Sequence, residues 1–237
     1  MDASEIYDPE FRKLIKSKEP TIIIPVGSLE QHGAHLPVTT DSDIVTEIAS
    51  RLGKKCGFIV FPTIGYGLSF EHDPLFNIDV WSLSLRNFLF DIIHSIKFKL
   101  RSQGVRNSVI ILNGHHGNVE ALNKLVKPGK WRTGNMPRIC SYWHFMEHEF
   151  DHAGFVETSI MLAISDKVKM KKAKKGFTTK GLSEKEIQRI NKLSTQPGGF
   201  PQVTKNGVWG DPTGATKKDG EKFLAEIVRN LAKECQT

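Results

Sequence analysis

The chain has 237 residues, 39% of them hydrophobic and 25% charged, and its 33 lysines and arginines against 26 acids give a formal net charge of +7. That length and apolar content fit one α/β domain spanning 1–237. The three cysteines, Cys56, Cys140 and Cys235, form no CxxC pair, which argues against a disulfide framework and a thiolate zinc site. The charged N-terminus lacks the apolar core of a signal peptide, and no apolar run approaches the roughly 20 residues that span a bilayer, so a cytoplasmic protein without membrane partners is expected.

The first predicted element is a strand at Thr21–Val26, TIIIPV, a β-branched run ended by Gly27 and suited to burial on both faces. A helix is expected over Ser42–Arg51, where Ile44, Val45, Ile48 and Ala49 recur at helical spacing behind possible caps at Thr40 and Asp41. Phe58–Pro62 and Ser108–Leu112 read as further strands, and Trp81–Arg101 as a long helix between them. A helix should follow from Asn118 to about Val126, then a strand at Arg138–Trp143 and a helix near Val156–Ile164. Strands alternating with helices imply a mostly parallel sheet covered on both faces. Residues 166–207 break the pattern with a lysine-rich run, an amphipathic stretch at Glu184–Leu193, and turns at Gly198, Gly199 and Pro201, and read as a surface excursion. A last helix is expected from about Lys218 to Lys233.

The lysines concentrate in Lys167–Lys175 without interleaved aromatics, so the run reads as a solvated loop and no nucleic-acid partner is expected. A basic surface does favour the approach of anionic small molecules such as phosphate esters.

The nine histidines are unevenly placed: His32 and His35 follow the first strand, His115 and His116 the third, and His144, His148 and His152 share a later segment, while His72 and His94 stand apart. In open parallel α/β sheets the ligand crevice lies at the carboxyl ends of the strands, so the first two clusters should meet there. In GSLEQHGAHLPVTTD, Gly27–Asp41, an extended backbone would turn Glu30 and His32 to one side, with Asp41 at a helix start where its two oxygens could bridge two cations. In NGHHGN, glycines on both sides allow His115 to be aimed into a crowded site. HAGFVETS adds His152 and Glu157. Glu30, His32, Asp41, His115 and Glu157 form a mixed N/O set suited to Zn²⁺, Mn²⁺ or Fe²⁺. Three carboxylates against two divalent ions leave one net positive charge for a hydroxide to neutralise. Such a centre activates water and polarises a carbonyl, and His152 could protonate a departing nitrogen.

Together PVGSLEQHGAHLPVTTD, PTIGYG at Pro62–Gly67, NGHHGN, HAGFVETS and GVWGDPTGAT at Gly207–Thr216 resemble the creatininase, or creatinine amidohydrolase, family along nearly the whole chain. The resemblance implies an α/β/α sandwich and a homo-oligomer, with one metal held by Glu30, Asp41 and His115, a second by His32, Asp41 and Glu157, and His152 as the proton-shuttling histidine. Creatinine hydrolases in this family carry a glutamate where this chain has Gly117 and a tyrosine against the substrate where it has His116, so creatinine is not the expected substrate. Many relatives also have a glutamate in place of Phe155. The expected activity is deformylation of 2-amino-5-formylamino-6-ribosylaminopyrimidinone 5'-phosphate, a step towards riboflavin and deazaflavin cofactors, because that substrate carries a phosphate and the chain is basic. His35 and the lysine run are the candidate phosphate contacts. A lactam hydrolase or a mycofactocin-type peptidase is the alternative.

Overall fold

Residues 1–17, 20–101, 108–126, 131 and 136–236 are described by the structure, a computed structural model. Four parallel strands, β1 (Thr21–Val26), β2 (Ile59–Val60), β3 (Ser108–Asn113) and β4 (Arg138–Ser141), lie in the order β2-β1-β3-β4. The order reverses between β1 and β3, which pair in register from Thr21 opposite Ser108 to Val26 opposite Asn113. Their carboxyl ends form the switch point where ligands bind in such sheets.

Alternation along each strand separates the two faces. Ile23, Ile110 and Leu112 pack with α2 (Thr40–Cys56), α5 (Phe155–Ile164) and α8 (Lys217–Gln236). Ile22, Ile24, Val26, Val109 and Ile111 pack on the other side with α1 (Asp8–Ser17), α3 (Ser82–Arg101) and α4 (Val119–Leu125). The result is a three-layer α/β/α arrangement. Ile44, Val45, Ile48, Ala49 and Leu52 of α2 are all buried, as their spacing requires, and the helix ends at Gly57 in the left-handed conformation (φ 73°).

The differences from the sequence expectation are local. Strand β2 holds two residues where five were expected; Pro25 on β1 and Pro62 beyond β2 have no N–H, so the ladder cannot continue there. The chain leaves β4 at Ser141 and forms a 3-10 turn at Tyr142–Phe145, and the helix α1 lies ahead of the first expected element. Residues 166–207 contain α6 (Glu184–Ser194), opened by a Ser183–Glu186 capping box, and α7 (Phe200–Thr204). No helix among the described residues is long and apolar enough to cross a membrane.

Candidate metal centre

Beyond β1 the chain turns through Glu30–Gln31–His32 before entering α2, which places Asp41 in the first turn of that helix, where the helix dipole favours a carboxylate. Beyond β3, Gly114 lets the strand end pass α2 closely: a β-carbon there would lie 2.8 Å from the Asp41 carbonyl oxygen. His115 follows, and Glu157 comes from the first turn of α5. Glu30, His32, Asp41, His115 and Glu157 are each at most 4% exposed.

Two triads share Asp41. Glu30, Asp41 and His115 form one, and His32, Asp41 and Glu157 the other. The Oδ1 of Asp41 is 3.3 Å from His32 Nε2 and its Oδ2 is 3.1 Å from His115 Nδ1. Glu157 Oε2 is 3.6 Å from His32 Nε2, and Glu30 Oε2 is 3.3 Å from His115 Nε2. Two ligand atoms ~2.1 Å from one ion at right or tetrahedral angles lie about 3.0–3.4 Å apart, so the spacings of Asp41 to His32 and to His115 suit donors facing a shared cation.

Hydrogen bonding supports that chemistry. Both oxygens of Glu30, Nε2 of His32 and Oδ2 of Asp41 are buried without an aligned hydrogen-bond partner, although each of these atoms has a histidine nitrogen or a carboxylate oxygen within 3.3 Å. These are lone-pair atoms converging without protons well placed between them. The far side of each ring is engaged: His32 Nδ1 donates to the Glu30 carbonyl at 3.1 Å and His115 Nε2 to the Leu68 carbonyl at 2.6 Å. That leaves Nε2 of His32 facing Asp41 and Glu157 and Nδ1 of His115 facing Asp41, while Glu30 Oε2 lies on the Nε2 side of His115. On Glu157, Oε2 accepts from the Ala153 N–H at 2.7 Å and Oε1 from the Tyr142 hydroxyl at 3.4 Å.

Three buried carboxylates require compensating positive charge, either protons on both rings or cations between them. Burial opposes charge on His32, but Asp41, Glu157 and Glu30 overcome it and hold its pKa up to about 10. His115 is likewise raised, with Glu30 and Asp41 outweighing burial. Burial works against ionisation of Asp41, yet the two rings keep its carboxyl well below the usual carboxylate range. Glu157 is pushed up by burial and by Asp41.

His152 lies beside the triads, its ring stacked on His32 at 4.2 Å between centroids and its Nδ1 3.9 Å from Glu30 Oε1. It also groups with Glu30 and His32 as a possible third cation set. Its Nε2 is 3.1 Å from the Gln31 carbonyl, to which it donates, leaving Nδ1 as the acceptor. Burial and the neighbouring rings of His32 and His72 depress its pKa well below the histidine range.

A cavity of about 310 Å³ opens over these groups. His116 lies at its wall and is exposed. His35 does not reach it: the ring is 1% exposed, packed under the site with Nε2 2.9 Å from Thr158 Oγ1, so it is not placed to touch a substrate phosphate. The lysines of 167–175 are exposed and do not line the cavity either. Among the described lining residues there is no lysine or arginine, while Glu30, Asp41, Glu71, Glu149, Asp151 and Glu157 contribute carboxylates. The aromatic wall comes from Phe150, Phe200 and Trp209, and Ile187, Asn191 and Thr195 of the excursion face it.

Sequence reasoning missed Gln31, Glu71 and His72. His72, set apart in the sequence, places its Nε2 3.1 Å from Glu30 Oε1 and accepts at Nδ1 from Gln31 Nε2 at 2.9 Å. The signal was present: an acid and a histidine follow the glycines after β2, as they do after β1.

The sequence matches the family described as "Creatininase: Creatinine amidohydrolase" over residues 4–235. It is 32% identical over 228 residues to a mycofactocin precursor peptide peptidase of Mycolicibacterium smegmatis, spanning 92% of this chain and 85% of that one. A 2-amino-5-formylamino-6-ribosylaminopyrimidin-4(3H)-one 5'-monophosphate deformylase of Methanothermus fervidus is 29% identical over 211 residues, 85% and 78% of the two chains. A solved structure of creatininase, in a form named for Mn, is similar with a TM-score of 0.78 at 21% identity, covering 99% of this chain and 97% of that one, a likeness of fold. With the match extending across almost every residue, the chain belongs to the creatininase family of metal-dependent amidohydrolases, which act on C–N bonds.

Proposed function

We propose that this enzyme hydrolyses an amide bond of a short peptide at a two-metal centre, with Glu30, Asp41 and His115 holding one ion and His32, Asp41 and Glu157 the other. The observation that carries the centre is the pair of ligand triads sharing Asp41. Bound there, zinc, manganese or iron would lower the pKa of water and polarise the substrate carbonyl. The protein's own part is to hold the carboxylates ionised, exclude bulk water and move protons. His152, neutral and turned to the centre through Nδ1, takes a proton from the attacking water and passes it to the departing nitrogen.

The peptide reading is supported by the likeness to the mycofactocin precursor peptide peptidase and by the cavity. A phosphate ester finds no lysine or arginine among the described lining residues, and beyond the metal centre it would meet Glu149 and Asp151, whereas an amide flanked by apolar side chains finds Phe150, Phe200 and Trp209. A second reading, deformylation of the formamidopyrimidine ribonucleotide, is supported by the likeness to the archaeal deformylase. The deciding experiment loads the purified protein anaerobically with Zn²⁺, Mn²⁺ or Fe²⁺ and offers a short-peptide library and the ribonucleotide in parallel. New peptide termini seen by mass spectrometry, abolished by a chelator, are expected. Formate release without peptide cleavage would select the deformylase, and neither product with stoichiometric metal bound would reject both.

A further inference from the structure

A side-chain amide gives two hydrogens from its nitrogen and accepts only at its oxygen, so its orientation in a buried site is decided by neighbours whose own polarity cannot change. Gln31, 9% exposed and set between the ligand residues Glu30 and His32, has two such neighbours in the main chain. The Gly33 N–H donates to its Oε1 at 2.9 Å, and its Nε2 donates to the Gly207 carbonyl at 3.3 Å. A backbone N–H cannot accept and a carbonyl cannot donate, so the amide has a single orientation.

The remaining hydrogen on Nε2 then has one destination. Two histidine nitrogens are within reach, His72 Nδ1 at 2.9 Å and His152 Nε2 at 3.3 Å. His152 Nε2 carries the hydrogen that it gives to the Gln31 carbonyl at 3.1 Å, which leaves His72 Nδ1 as the acceptor. A ring nitrogen that accepts has no hydrogen of its own, so the neutral His72 ring carries its hydrogen on Nε2. That nitrogen lies 3.1 Å from Glu30 Oε1, an oxygen without an aligned hydrogen-bond partner.

The surroundings hold this arrangement in place. The Gln31 N–H donates to the Phe76 carbonyl at 2.8 Å and Glu30 bridges to Asn77, which ties the loop carrying His72 to the loop carrying the ligands. The His72 ring is 2% exposed, with the ring centroids of Phe200 and His152 at 4.5 and 5.0 Å. Gly207 has a φ of 72°, and a β-carbon there would stand 1.9 Å from Gln31 Oε1, so glycine makes the room that the amide fills.

We propose that Gln31 is a positioning residue of the metal centre, holding His72 in the tautomer with its hydrogen on Nε2, so that His72 turns a donor and not a lone pair towards Glu30. A nitrogen that carries a hydrogen cannot ligate a cation, so His72 stays outside the ligand set although it lies as near to Glu30, at 3.1 Å, as His115 does at 3.3 Å. A donor beside Oε1 leaves Oε2 of Glu30 for the ion shared with Asp41 and His115, the part that outer partners play for metal-binding carboxylates. This assignment rests on the metal centre proposed above.

Long-range ¹H–¹⁵N spectra of the metal-free and Zn²⁺-loaded protein report which ring nitrogen bears the hydrogen, with the His72 signals identified by their loss in His72→Gln. The wild type should show hydrogen on Nε2 of His72. Gln31→Met keeps the length of the side chain without its donor and should lose that fixed tautomer, whereas Gln31→Glu puts an acceptor there and should move the hydrogen to Nδ1. Titration of the same preparations should show Zn²⁺ bound about 10–100-fold more weakly by Gln31→Met than by the wild type, the usual cost of removing an outer partner. Hydrogen on Nδ1 in the wild type would overturn the assignment, as would an Nε2–H tautomer unchanged in both Gln31 variants or wild-type Zn²⁺ affinity in Gln31→Met. A wild type that takes up no Zn²⁺ would reject the centre and the positioning role with it, a failure told apart from the others by an intact tautomer pattern.

Discussion

Asp41→Asn isolates the bridging carboxylate with the smallest change of shape, because each of its two oxygens faces a different triad. A ligand that binds only the folded state stabilises it by RT ln(1 + [L]/Kd), about 2.7 kcal/mol at a hundred times Kd and so about 5 kcal/mol for two sites. For a chain of 237 residues, about 2–4 °C per kcal/mol turns this into a metal-dependent rise in Tm of about 10–20 °C. If the lost negative charge weakens each site about a hundredfold, the same metal concentration gives only RT ln 2 per site, under about 1 kcal/mol in all and a rise of about 2–3 °C. Glu157→Gln touches one triad only and should keep about half of the wild-type increment. Calorimetric scans of the three proteins with and without Mn²⁺ decide the matter. A full metal-dependent rise in Asp41→Asn, or equal losses in both variants, would refute the shared-ligand geometry.

His152→Ala should retain both metal equivalents by elemental analysis while kcat falls about 10²–10⁴-fold, since a proton carrier beside the centre is removed; loss of metal would make His152 a ligand. Gly117→Ala should weaken metal binding, because the new methyl group would stand 2.1 Å from the Leu68 carbonyl that orients His115; an isotherm matching the wild type would show that the turn yields freely. Asp151, half-buried and accepting from the Val156 and Glu157 N–H groups, has its pKa pushed up by loss of solvent to about 6 from an ordinary 3.8. An acid raised on folding binds more protons in the native state, so its contribution is most favourable below about pH 4 and is lost as pH rises through about 6. Asp151→Asn should therefore flatten the fall of the urea midpoint across that window, and parallel profiles would count against the shift.

Much of the centre was legible in the sequence because its residues sit where a parallel sheet must place them. Glu30, His32 and His115 follow strands marked by β-branched runs, and Asp41 begins a helix marked by Ile44, Val45 and Ile48. The remainder was hidden for a different reason. Glu71 and His72 follow a two-residue strand cut short by prolines, and their loop has no periodicity to reveal that it folds back over the switch point. Phe200 and Trp209 reach the cavity only through tertiary packing of the segment after α6, which no local pattern encodes. Net charge could not place a phosphate contact, because charge summed over a chain says nothing of which residues line a cavity: the lysines of 167–175 lie outside it, while carboxylates gather within.

The cavity is assembled from two lengths of chain with different obligations. Its metal-facing side is anchored in the sheet and in α2 and α5, where a shifted side chain disturbs the buried core, whereas Ile187 and Asn191 belong to a surface helix held by few buried groups and Thr195 caps its end. Reactivity and selectivity are thus separable in this molecule: replacing the outward turns of α6 would change which molecules are admitted while leaving the chemistry that awaits them intact, and a family built on such a plan can acquire new substrates without reinventing its reaction.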